Sequence, residues 1–174
     1  MAKSETQIMI RVLTPADAKA YRALRLEALR LEPAAFASSA EEFENEPLEL
    51  VAQRFQAEAW GAFTLGAFRH ESLVGIVTFF PETRLKVDHK ANLFGMYVTP
   101  AEQGKGIARM LLQAFIKRAK SYPKIKQVKL SVMTTQQAAK QLYLSLGFEV
   151  YGLEPNALKL AETFIDAEDM ILFL

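Results

Sequence analysis

A chain of 174 residues with 51% hydrophobic and 24% charged residues is long enough to bury one core and short for two ordinary domains, so a single domain over 1–174 is expected. The formal net charge of +1 argues against partners held by a concentrated positive field, which sets aside nucleic acid and an anionic membrane surface. There is no cysteine, which excludes disulfides, thiolate zinc sites and cysteine nucleophiles.

The opening "MAKSETQIMIRV" lacks the apolar run of a signal peptide, and no later window reaches the roughly 20 apolar residues of a membrane span, so a cytoplasmic protein is expected. Alternation at Ile8, Ile10 and Val12 predicts a first strand. Thr14 then fits an N-cap, Pro15 the first helical position and Asp17 the positive end of the helix dipole. Tyr21, Leu24, Ala28 and Leu31 recur at helical spacing up to Pro33. The stretch "AAFASSAEEFENEP" has no clear period and reads as a loop with at most a turn of helix; loops of that length inside a compact domain often border a site. Leu48, Val51, Ala52, Phe55 and Ala59 predict a second helix ending before Gly61.

Phe63 to Phe68 and Leu73 to Phe80, separated by "RHES", predict an antiparallel hairpin. A strand from about Ala91 to Val98 follows, with a bulge or a close backbone approach expected at Gly95. Ile107, Met110, Leu111, Ala114 and Phe115 predict a third helix, Val128, Leu130 and Val132 a strand, and Ala139, Leu142, Tyr143 and Leu146 a fourth helix from about Thr135 that ends at Gly147. Phe148 to Leu153 and Phe164 to Phe173 predict two closing strands. The order amounts to a mixed α/β sheet of about seven strands with about four helices and one strand-helix-strand crossover near its centre.

In that crossover, "TPAEQGKGIARM" joins a strand end to a helix N-terminus. The first amides of a helix have no partner within it and the dipole is positive there, so Gly104, Lys105 and Gly106 suit a phosphate approaching the backbone. A nucleotide-hydrolase loop would need Ser or Thr after the lysine, and a dinucleotide fingerprint would need a glycine where Arg109 stands. On residues alone, a phosphate cradle and an ordinary strand-to-helix turn both remain open.

"VTPAEQGKGIARMLL" resembles the acyl-CoA-binding segment of the GNAT N-acetyltransferase superfamily, Arg/Gln-x-x-Gly-x-Gly/Ala after Val-x-Pro, with Gln103, Gly106 and Ala108 in place. "QQAAKQLYLSLGFEVYG" is similar to the second signature, Asn-x-x-Ala-x-x-Leu-Tyr-x-x-x-Gly-Phe, through Ala139, Leu142, Tyr143, Gly147 and Phe148. "EPNALKLAETFIDAEDMILFL" resembles the ending of a bacterial subgroup of small-molecule acetyltransferases. The resemblance implies a mostly antiparallel sheet with a splayed parallel pair, into which the pantetheine arm of acetyl-CoA inserts. It implies cofactor contacts from Met96, Tyr97 and Val98, from Gln103, Gly104, Lys105, Gly106, Ile107 and Ala108, and from Gln136, which stands where the family usually has Asn.

The same resemblance makes Tyr143 the general acid that protonates the departing thiolate; from spacing alone it reads as core. For the base, Glu41, Glu42, Glu44, His89 or water are open, and His70 is placed on the surface. Phe36, Phe43, Trp60 and Tyr97, with Glu41 and Glu42, are candidates to line an acceptor pocket, or are ordinary core and surface. No metal is expected. The expected activity is acetyl transfer from acetyl-CoA to a primary amine in a ternary complex, by a monomer or homodimer; a non-catalytic acyl-CoA sensor and a protein N-acetyltransferase are the rivals.

Overall fold

The computed structural model describes residues 7–56 and 61–174. Strand β1 (Ile8–Val12) leads through a 3₁₀ turn at Pro15–Asp17 into α1 (Ala18–Leu31). Two short helices follow, α2 (Ala40–Glu44) and α3 (Leu48–Gln53), then β2 (Phe63–Arg69), β3 (Ser72–Pro81) and β4 (Lys90–Val98). After α4 (Ile107–Ala119) come β5 (Gln127–Met133), α5 (Gln137–Ser145), β6 (Glu149–Leu160) and β7 (Thr163–Phe173).

Among the described residues the strands form one sheet in the order β1-β2-β3-β4-β5-β7-β6. Every neighbouring pair is antiparallel except β4 and β5, which are joined by the α4 crossover. Two apolar clusters cover its faces. Leu65, Val77, Leu93 and Leu130 pack with Leu111 and Phe115 of α4, while Ile76 and Tyr97 pack with Tyr21, Leu24 and Ala28 of α1.

Three sequence expectations change. The helix expected over Leu48 to Ala59 ends at Gln53: Phe55 is buried from a turn beyond it, and Ala59 and Trp60 lie outside the described residues. The segment read as a loop holds α2, whose capping box sets the Ser39 hydroxyl on the Glu42 amide and the Glu42 carboxylate on the Ser39 amide. That short helix raises the expected four to five. The closing strand expected over Phe148 to Leu153 runs on to Leu160, because register shifts between Val150 and Gly152 and between Glu154 and Leu158 absorb its irregular pattern.

Thr14 and Pro15, expected to open the helix itself, open the 3₁₀ turn that leads into it, and Asp17 stands at the N-cap of α1. Asp17 accepts from the Thr14 amide at 2.8 Å and takes both arms of the Arg11 guanidinium at 2.7 Å. Those bonds from Arg11, ahead of the Thr14 contacts, hold the Asp17 carboxyl down at about 2.

Candidate active site

Strand β4 meets β5 only at Lys90–Asn92 against Gln127–Lys129. Past that point the strands part. The cause lies in β4: Tyr97 and Phe94 oppose Ile76 and Thr78 of β3, so β4 spends one residue more than its partner, and Gly95 takes φ +62. A bulge of that kind bends its strand, and a left-handed φ suits glycine. Between the parted strands opens a cleft of about 490 Å³, walled by Leu93–Met96, by Leu130–Met133 and by Gln136, Ala139 and Tyr143. Backbone groups of β4 beyond Asn92 therefore face this gap without a β5 ladder, a natural berth for an extended ligand. Met96 borders the cleft, while the Val98 carbonyl accepts from Gln103 Nε2 at 2.9 Å.

Beyond Val98 the chain turns through Pro100–Glu102 to Gly104 at φ +74 and Gly106 at φ +79, the N-cap of α4. No side chain caps α4, and a Cβ at either glycine would meet nothing within 4 Å, so the space over the loop is open to a ligand. Ile107, almost wholly buried, anchors the first turn below, and Ala108 packs beside it. Arg69 and Lys105 both pair with Glu102, at 2.7 and 3.3 Å, and these cations, Arg69 first, lower its pKa. The loop thus offers free amides and a helix dipole with Lys105 beside them, a donor set that suits a pyrophosphate.

The other wall is held by the end of α5. Gly147, at φ +95, donates to the Leu144 carbonyl at 3.0 Å, and Phe148 donates to the Tyr143 carbonyl at 3.1 Å. That is a Schellman motif, and its apolar contact is the edge-on packing of Tyr143 against Phe148, ring centroids 5.7 Å apart. The spacing Tyr-x-x-x-Gly-Phe is the local code for this geometry. It leaves Tyr143 only 6% exposed yet bordering the cleft, and burial pushes its phenol pKa well above the ordinary value. Gln136 borders the cleft from the N-cap of α5; its amide donates to Met133 and its side chain caps nothing in the helix.

Toward α1, the structure separates the proposed acceptor residues. Phe36 borders the cleft with Ala35, Ala37 and Ser38. Glu41 is exposed, Glu42 is tied into the α2 cap, and Glu44 pairs with Arg30 at 2.8 Å. His89 sits before β4, its carbonyl accepting from Lys126. Phe43 and Tyr97 are buried under α1; the Tyr97 hydroxyl donates to Glu27 at 3.0 Å, and burial followed by that bond raises its pKa. None of Glu41, Glu42, Glu44, His89 and Tyr97 borders the gap. Asp169 does, hydrogen-bonded to Ser131.

Sequence reasoning missed Arg25, which borders the gap and also a second cavity of about 450 Å³ formed with Tyr21, Arg54, Phe80 and Phe94. The signal was present: Arg25 lies four residues after Tyr21 and three before Ala28, on the buried stripe of α1.

A family model, the Acetyltransferase (GNAT) family, matches residues 25–148, from α1 through the Schellman motif. The chain belongs to the GNAT acetyltransferase family. Solved GNAT structures share its whole architecture. A GNAT acetyltransferase from Streptococcus pneumoniae is 26% identical with a TM-score of 0.82, covering 97% of this chain and 100% of its own. A protein of Salmonella typhimurium, described as an acetyltransferase and solved with its cofactor acetyl-CoA, is 23% identical with a TM-score of 0.80, covering 97% and 94%. A ribosomal-protein-alanine N-acetyltransferase from Brucella melitensis is 24% identical with a TM-score of 0.78, covering 95% and 99%. No curated protein matches the sequence.

Proposed function

We propose that this GNAT protein is an acetyl-CoA-dependent N-acetyltransferase, one domain over 1–174, that acetylates a primary amine of a small molecule by direct attack in a ternary complex. The observation that carries the proposal is the cleft between the parted strands, which has the unladdered edge of β4 at Met96 on one side and the buried ring of Tyr143 on the other. The glycine loop at the α4 N-terminus follows on from the same strand, a few residues past Met96. Bound acetyl-CoA supplies the thioester that an amine attacks.

The chain's own residues do the rest. The amides after Gly104 and Gly106 hold the pyrophosphate, with Lys105 beside them, and the unpaired edge of β4 at Met96 holds the extended arm. Tyr143, kept protonated by burial, donates its proton to the departing sulfur. Deprotonation of the acceptor's ammonium, about 5 kcal/mol uphill at neutral pH for an ordinary alkylamine, is assigned to water, because the acidic residues of the α2 segment lie away from the gap. The reading is tested by thiol release from acetyl-CoA across a panel of amines, with cofactor binding followed by calorimetry. Release with an amine supports it; binding without release from any amine favours a sensor; no binding overturns it.

A further inference from the structure

We propose that Arg25 recognises a carboxylate on the acceptor, so that the amine acetylated here belongs to the amino acid class. The inference rests on the acetyl-transfer reading for the position of the acceptor, and on four features of Arg25 for its chemistry.

The first is an absent partner. Arg25 Nη1 is buried with no hydrogen-bond partner, and among the described residues no carboxylate pairs with the guanidinium. A buried donor on a charged group without a partner is costly, and the cost is recovered when a ligand brings the matching acceptor. Position is the second: Arg25 borders both the gap and the cavity toward α1, and Nη1 lies 3.8 Å from where a Cβ on Gly95 would stand, so the guanidinium packs against the bulge that opens the gap.

The third feature is pre-organisation. The guanidinium stacks over the Phe36 ring at 4.4 Å, which fixes its plane and leaves the edge free for the paired oxygens of a carboxylate. The fourth is the charge count. Arg54 shares the second cavity, but Glu46 pairs with it, so Arg25 brings the one uncompensated positive charge of that cavity among the described residues, which suits a monoanion. Burial, more than the nearby Arg54, lowers the pKa of Arg25, yet a guanidinium stays charged at neutral pH. Phe80 and Phe94 line the same cavity, beside Gln53, Thr64 and Thr78, so it has room to pack an aromatic side chain such as that of phenylalanine.

The test compares phenylalanine, its amide and phenethylamine as acceptors by thiol release, in wild type, Arg25→Gln and Arg25→Lys, with N-acetylphenylalanine binding followed by calorimetry. The expected result is release with phenylalanine favoured over both analogues that lack the carboxylate. Arg25→Gln should raise KM by about tenfold to a hundredfold with kcat less affected, and Arg25→Lys should restore part of the loss. Arg25→Gln loses the stacking on Phe36 and should lower the Tm only slightly, because an orphaned donor goes with it; a lowered Tm with unchanged preference among the amines would mark a packing role alone and overturn the proposal. Release with the amide or phenethylamine as good as with phenylalanine would overturn the carboxylate and leave acetyl transfer standing. If no amine supports release while acetyl-CoA binds, acetyl transfer fails, and N-acetylphenylalanine then decides: binding lost in Arg25→Gln upholds the carboxylate site, and no binding to wild type overturns it.

Discussion

The glycine loop at the α4 N-terminus and the end of the cleft beside α1 are built differently. The first offers backbone: amides above two glycines at positive φ, next to the unladdered edge of β4. The second offers side chains, Arg25, Phe36 and Phe94, brought together from a helix, a connecting segment and a strand. Backbone recognition suits the parts common to every acyl-CoA, whereas side-chain recognition can vary without disturbing the fold. Under the proposed function, the donor site is made of backbone and the acceptor site of side chains, so each can be altered without the other.

Substitutions can break either region separately. The largest effect is expected from Gly106→Val. A branched side chain at φ +79 costs about 1 to 2 kcal/mol of stability and fills the open space over the loop, so calorimetry should show acetyl-CoA binding abolished in a folded protein. Gly147→Val comes next. At φ +95, with Leu172 3.4 Å from the new Cβ, it unseats the Schellman motif and displaces Tyr143; thiol release should fall about a hundredfold with cofactor affinity nearly kept.

Far from either region, Asp17→Asn removes the Arg11 pair and the Thr14 contact and should lower stability by about 1 kcal/mol in urea titration at pH 7. The Asp17 carboxyl is lowered from 3.8 to about 2 on folding, so it stabilises the protein above pH 4. That contribution is lost as the pH falls from about 4 toward 2. The wild type and the variant should therefore converge in stability over that interval. Smallest is a predicted absence: because burial raises the Tyr143 pKa, the rate of release should keep rising with amine deprotonation and show no downturn near pH 10, where an ordinary phenol ionises.

The same contrast explains what could be read before the fold was known. The glycine loop and the ring at Tyr143 each sit in a motif of a few neighbouring residues, so a family resemblance could point to them, whereas spacing alone left the loop open between a cradle and a turn and read Tyr143 as core. Pairs such as Tyr97 with Glu27, or Arg25 with Phe36, join residues from separate elements, and no local pattern announces them. The acidic loop misled in a particular way: Glu42 looked available, but a capping box spends its carboxylate on the Ser39 amide. The helix expected to run past Phe55 was overextended because burial of Phe55 from a turn mimics the helical period.

Tyr143 borders the cleft between the parted strands, and the most direct test is made there. Thiol release with a saturating amine and calorimetric acetyl-CoA affinity should be measured on the same preparations of wild type and Tyr143→Phe. The ring and its packing on Phe148 survive that change, so affinity should stay within about twofold while release falls by about a hundredfold or more, as loss of a general acid requires. Unchanged release, with chemistry shown to limit the rate, would contradict the assignment of Tyr143 as the acid.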